Sequence, residues 1–187
     1  MQKKLWQTSS DINPIMENFT VGNDHILDTR LLPYDIIGSL AHAKMLESIG
    51  IISSTELLDL EKGLSEILEL SKKGEFQILK TQEDCHTAIE QYLTEHYGEV
   101  GKKIHTGRSR NDQVLTMLRL FMKDLHVDFT ECIEKLITQM DKRVLEFHDQ
   151  QMPGYTHAQR AMPTTVGKWL DSYAIALQDQ LTIFASI

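Results

Sequence analysis

The 187-residue chain is short of cysteine and proline, of charge of one sign and of long apolar runs, and each shortage excludes something. Its two cysteines, Cys85 and Cys132, form neither a disulfide framework nor a CxxC pair. They read as two reduced, buried thiols of a cytoplasmic protein. No apolar stretch approaches the roughly 20 residues that span a bilayer. The opening Met-Gln-Lys-Lys-Leu-Trp-Gln lacks the apolar centre of a signal peptide. Lys and Arg number 19 against 27 Asp and Glu, a formal net charge of -8. That balance argues against nucleic acid and membrane surfaces as partners, because both require a basic face. Neither a P-loop nor a GxGxxG is present, and the histidines show no HExxH spacing. Cys85 and His86 are adjacent, a poor arrangement for a shared metal, so no metal is expected.

No alternating strand pattern persists anywhere, whereas helical periodicity does, which predicts an all-α fold. The start, through about Ile26, reads as irregular or as a short arm. A helix after Pro33 would carry Ile36, Ile37, Leu40, Leu46 and Ile49 on one face and stop at Gly50. Ser53 and Glu56 form a capping-box start for a second helix, with the stripe Leu57, Leu60, Leu64, Ile67 and Leu68 and a stop at Gly74. A third helix is expected from about Glu83 to Tyr97. Between Asn111 and Met152 there is neither Gly nor Pro, and apolar residues recur at three- and four-residue steps from Val114 to Val144. Such a helix would be roughly 60 Å long, too long for a compact globule, and calls for long partner helices. A last helix from about Thr164 is still apolar at Ile183, Phe184 and Ile187. The chain therefore reads as cut inside an element of a longer protein. Residues 1–104 are expected to form a small helical domain, and 105–187 the first part of a truncated long-helix bundle.

What the chain does have is concentrated in His105-Thr106-Gly107-Arg108-Ser109-Arg110-Asn111-Asp112-Gln113. Two arginines, a histidine, two hydroxyls and two amides surround a glycine just before the longest helix. From Gly101 to Asn111 there are five basic or histidine residues and no acid. A helix N-terminus attracts anions through its unpaired N–H groups, and arginine presents a planar fork that matches a carboxylate. The segment reads as a docking site for a small polycarboxylate. A second candidate is the polar loop Met152-Pro153-Gly154-Tyr155-Thr156-His157-Ala158-Gln159-Arg160, in which His157 can titrate near neutrality. Alone, a loop histidine is more often structural. A third is Glu83-Asp84-Cys85-His86, where the acids also suit a helix start.

Taken together, these segments resemble the argininosuccinate lyase family of the fumarase/aspartase superfamily. His105 to Gln113, with Val114 and Leu118-Arg119-Leu120, is similar to that family's first block. Glu83-Asp84-Cys85-His86-Thr87-Ala88-Ile89-Glu90 extends the similarity upstream. Met152 to Arg160, with Pro163, Gly167 and Trp169, resembles the second block. Lys4-Leu5-Trp6 and Asp35 to His42 fit as well. The resemblance implies long helices in a homotetramer, active sites assembled from three subunits, and reversible β-elimination of argininosuccinate to arginine and fumarate without cofactor or metal. It implies that Ser109, Arg110, Asn111 and Thr156 bind substrate, that Asp84 and His86 lie near it, and that His157 is catalytic. Two departures stand out. Gly22 occupies the place of a serine in a substrate-contacting segment. The family's third block, a mobile serine loop that supplies the catalytic base, is absent, so the 187 residues alone are expected to have little or no lyase activity. Two alternatives accompany this reading: a non-catalytic crystallin-like scaffold, and a lyase of another succinyl compound.

Overall fold

The computed structural model describes residues 13–186. The similarity at Lys4-Leu5-Trp6, and the apolar end at Ile187, lie outside the described residues. The described chain is all-α apart from one hairpin. It divides into two compact units between Met122 and Lys123.

Among the described residues of the first unit, helix α1 (Pro14–Val21) and the single turn α2 (Asp24–Leu27) come first, where the sequence predicted an irregular arm. Asn13 caps α1 by accepting from Ile15 N–H at 2.9 Å, and Pro14 stands at the first helical position, which its fixed φ suits. The helix escapes a periodicity search because it turns no apolar stripe inward: Val21 is buried, but Ile15, Met16 and Phe19 are exposed. Helices α3 (Leu32–Ser48), α4 (Ser54–Lys72) and α5 (Cys85–Tyr97) follow, with the short α6 (Glu99–Lys103). The capping box at Ser53 is present in both directions, with Glu56 N–H on the Ser53 hydroxyl and the Glu56 carboxylate on Ser53 N–H.

The core of this unit joins Leu32, Ile36, Ala43 and Leu46 of α3 to Leu60, Leu64 and Ile67 of α4 and to Ala88, Ile89 and Leu93 of α5. Burying each of the larger side chains contributes roughly 1.5–3 kcal/mol. The face expected of α3 is corrected in two places. Ile37 and Ile49 are exposed, and the inward arc instead carries Asp35 and Ser39. Polar groups hold positions that a purely apolar helix face would fill. Glycine permits the closest approach in the unit: a Cβ on Gly101 would lie 2.4 Å from Thr94 N and 2.5 Å from Leu93 C, so α6 packs backbone to backbone on α5.

Helix α7 (Arg110–Glu146) has 37 residues and contributes to both units. It ends before Met152, where the sequence placed its limit. Its last turn gives way to a bend in which Gln150 N–H bonds the Phe147 carbonyl and Gly167 N–H bonds the same oxygen. The segment expected to be a loop is a hairpin: β1 (Gln151–Thr156) pairs antiparallel with β2 (Gln159–Thr165). Both strands are largely exposed and Pro153 stands opposite Pro163, so neither an apolar alternation nor a proline-free run marks them. Helix α8 (Val166–Phe184) closes the second unit and is capped by Thr165, whose hydroxyl accepts from Lys168 N–H. Ile137, Ala174 and Leu181 are the buried apolar side chains of this unit, while Phe129, Leu136, Trp169, Ile175 and Ile183 are exposed. Among the described residues, no helix is long and apolar enough to cross a membrane.

Candidate functional site

Ser109 and Asp112 build the start of α7. Ser109 N–H donates to the Asp112 carboxylate at 2.7 Å, and Asp112 N–H reaches back to the Ser109 hydroxyl at 3.4 Å. The bond from Ser109 N–H is the main reason the Asp112 carboxyl sits below its ordinary range. This reciprocal cap aims the first residue of the helix, Arg110, at the start of α5.

There Asp84 is the N-cap. Its carboxylate accepts Thr87 N–H at 2.8 Å and the Thr87 hydroxyl at 2.9 Å. Arg110 donates to the same carboxylate through one terminal nitrogen and to Thr87 Oγ1 at 2.8 Å through the other. Asp84 and Arg110, both expected site residues, thus meet from segments 26 residues apart. A guanidinium has five N–H donors. Two are used here, so three remain for an incoming carboxylate, and the Arg110 side chain is 39% exposed. Ser109 and Asn111 are exposed beside it.

His86, the next expected residue, is buried, with its side chain 3% exposed. Its Nδ1 lies 2.7 Å from the carboxylate of Asp35 on α3, while Nε2 is buried without a partner. The other Asp35 oxygen accepts the Ser39 hydroxyl at 3.3 Å, and Ser39 accepts from Arg108 at 3.0 Å. Asp28 accepts Cys85 N–H at 3.0 Å, and burial raises its carboxyl above the ordinary range. Asp35 and Ser39 entered the sequence reading only within the resembling segment Asp35 to His42, with no site role, and Asp28 did not enter it. A signal existed: Asp35, Ser39 and His42 recur at steps of four and three along the same helix as Leu32, Ile36, Ala43 and Leu46. Such spacing marks a polar stripe on an inward face.

A cavity of about 290 Å³ lies between α3 and the start of α7, lined by Tyr34, Asp35, His42, Arg108, Gln113 and Met117 among others. His42 Nε2 is 2.9 Å from the Thr106 carbonyl, and burial, assisted by Arg108 and His105, lowers its pKa. Asp35, Cys85 and His86 each place one donor atom within 4.8 Å of the others, the one such group found among the described residues. Two of those donors already engage each other, at 2.7 Å. The third, the Cys85 thiol, is pushed far up by burial and by neighbouring carboxylates, Asp35 first. It is therefore a neutral thiol in a fully buried position. Cys132, in contrast, is exposed, which corrects the expectation of two buried thiols.

Thr156 and His157 belong to the second unit. Thr156 ends β1 and pairs with Gln159, leaving His157 and Ala158 as a two-residue turn. Both have positive φ, 49° and 59°. That is the requirement of a type I′ turn, which Asn-Gly usually meets. Two non-glycine residues in this region carry a cost, and such costs concentrate where a side chain must be displayed in one direction. His157 is exposed at the tip.

Comparison with known proteins gives a matching family, two curated relatives and two solved structures. The family described as "Lyase" matches residues 7–187. The argininosuccinate lyase of Thermotoga neapolitana is 42% identical over 187 residues, covering 100% of this chain and 47% of that protein. The argininosuccinate lyase of Bacteroides fragilis is 43% identical over 181 residues, covering 97% of this chain and 40% of that one. The chain thus spans less than half the length of these curated relatives. Among solved structures, an EDDS lyase variant with bound fumarate superposes with a TM-score of 0.73 at 26% identity, over 96% of this chain and 35% of its own. A Brucella melitensis protein described as fumarate lyase:delta crystallin shares the fold at a TM-score of 0.72 and 17% identity, over 89% of this chain and 42% of its own.

Proposed function

This chain belongs to the lyase family, and from that membership and the geometry around Arg110 we propose that it supplies part of the active site of an argininosuccinate lyase, a carbon–nitrogen lyase of arginine biosynthesis. The observation that carries the reading is the meeting of Asp84 and Arg110. It joins two motif segments assigned by resemblance to one substrate and leaves cationic donors open to a carboxylate.

The chemistry asks for such donors. Removal of the proton beside a carboxylate loads negative charge onto that carboxylate, and the Cα–N bond to the guanidinium then breaks to release fumarate and arginine. Preoriented N–H and O–H groups stabilise that charge as it forms. Ser109, Arg110 and Asn111 at the start of α7 are assigned to the succinyl carboxylates, Asp84 and His86 to the adjoining wall, and Thr156 to holding the substrate. His157 is assigned to proton transfer, directly or through a partner group. The functional division is 1–104 as a helical domain and 105–187 as the beginning of a long-helix bundle. The assembled enzyme is read as a cytoplasmic homotetramer.

The test is a chimaera in which this chain replaces the matching segment of the Thermotoga neapolitana relative. Fumarate release from argininosuccinate is expected, with losses on the order of 100-fold or more for Arg110→Lys and for His157→Asn. Arg110→Lys retains charge but cannot make both bonds of the fork. A chimaera that folds and is indifferent to both substitutions would contradict the assignments. The similarity to the EDDS lyase favours a second reading, a lyase of another succinyl compound. Relative kcat/KM on argininosuccinate and EDDS separates the two.

A further inference from the structure

We propose that Asp35 is a positioning residue of this site, holding His86 and Arg108 in one geometry from the buried face of α3. The proposal rests on the lyase reading above.

The Asp35 carboxylate is 2% exposed. A charge in such a place is costly unless its lone pairs are satisfied. One oxygen takes His86 at 2.7 Å and is 3.8 Å from the Cys85 sulfur, while the other accepts the Ser39 hydroxyl at 3.3 Å. The Ser39 oxygen in turn accepts from the Arg108 terminal nitrogen at 3.0 Å. One carboxylate therefore ties α3 to two segments of the candidate site: the first turn of α5, which carries Asp84 and His86, and the arginine-rich run that leads into α7.

Core stabilisation alone does not call for this arrangement. A leucine-like residue at position 35 would serve a core at least as well, because buried ionic pairs seldom stabilise more than apolar replacements. The network also leaves two polar atoms buried and unpaired, His86 Nε2 and Arg108 Nε. Buried polar atoms without partners are rare and call for an explanation. Here each belongs to a group whose other end the Asp35–Ser39 pair fixes. The Asp35 carboxylate accepts from Nδ1–H, so in the neutral ring the lone pair lies on Nε2. Both groups are thus oriented, and each keeps one unused position.

The test pairs a structural readout with a kinetic one. Nitrogen-15 NMR of the labelled 187-residue chain reports the His86 tautomer, and argininosuccinate turnover is measured in the chimaera with the Thermotoga neapolitana relative. Asp35→Asn keeps the shape of the side chain; with its amide oxygen still accepting the Ser39 hydroxyl, its NH2 is the group that faces Nδ1. The expected result is a proton moved from Nδ1 to Nε2, as happens when a histidine-orienting carboxylate becomes an amide, together with a fall in kcat/KM of at least tenfold where the variant is fully folded. An Asp35→Asn protein that keeps either the original tautomer or the original kcat/KM overturns the proposal. Should that variant fail to fold, Ser39→Ala releases Arg108 and one Asp35 oxygen together while leaving the His86–Asp35 bond in place. It is expected to lose at least threefold in kcat/KM with the His86 tautomer unchanged, and unaltered kcat/KM overturns the proposal. An unsubstituted chimaera that is folded but inert toward argininosuccinate removes the lyase reading and this role with it. An active one with an equally active Asp35→Asn removes this role alone.

Discussion

Cys85 and Cys132 show how environment, not residue type, sets reactivity. Cys85 is fully buried beside carboxylates that hold its thiol protonated, while Cys132 is exposed on α7. Since only the thiolate is nucleophilic, Cys85 should resist an alkylating reagent in the native 187-residue chain and react only after denaturation, whereas Cys132, which lines an apolar groove of the second unit, reacts wherever that groove is uncovered. Peptide mapping decides this, and native labelling of Cys85 would contradict the packing of α5 against α3. His42 gives a pH-dependent counterpart. Burial lowers its pKa below 6.5, the ordinary value, so the folded state favours the neutral ring. Its contribution to stability is complete above the ordinary value and is lost as pH falls toward the lower folded value. Between about pH 7.5 and 5.5 the fall in Tm should be smaller for His42→Gln than for the native chain. An identical fall in both would show that His42 is not linked to folding. At this scale the sequence brought forward the residues of the proposed site that stand in polar segments. Arg110, Asp84 and His157 are recognisable as chemistry-bearing residues in polar segments. Asp35 and Ser39 are not, because an acid and a serine between apolar neighbours read as the solvent side of a helix until packing turns them inward.

At the scale of elements, legibility followed periodicity and caps. Helix α4 was fully specified by its Ser53–Glu56 box and its leucine stripe. Helix α1 and the hairpin were not, because neither turns a regular apolar face inward, and the His157–Ala158 turn replaces the usual Asn-Gly with residues that resist positive φ. Two glycines separate close packing that can yield from packing that cannot. A methyl on Gly63 would meet the far ends of Leu93 and Tyr97, which can move, whereas on Gly101 it would meet the Thr94 and Leu93 backbone. Gly101→Ala should therefore destabilise the chain by about 3 kcal/mol or more, and Gly63→Ala by clearly less. Urea denaturation gives both values. The reverse order would mean that α6 does not rest on α5 as described.

For the molecule as a whole, the distribution of buried side chains is uneven. The first unit has a closed apolar core, whereas the second has Ile137, Ala174 and Leu181 buried and a long set of exposed apolar residues. An apolar groove of about 500 Å³ is lined by Phe129, Ile133, Leu136, Leu177 and Phe184. Exposed apolar surface of this extent marks a face that other helices cover, in keeping with the long-bundle assembly proposed above. Association is not legible from one chain's periodicity, since a helix stripe facing a partner and one facing a core look alike. The 187-residue chain should therefore self-associate at micromolar concentration, and light scattering that reports a monomer would contradict this.

The central claim is that these residues recognise argininosuccinate. It is tested most directly by the ratio of kcat/KM for argininosuccinate to that for EDDS in the chimaera carrying this chain. The account predicts a ratio well above one, with kcat/KM for both compounds falling together in Arg110→Lys, because Arg110 is assigned to succinyl carboxylates that both carry. A ratio at or below one, in a chimaera that turns over either compound, would contradict it.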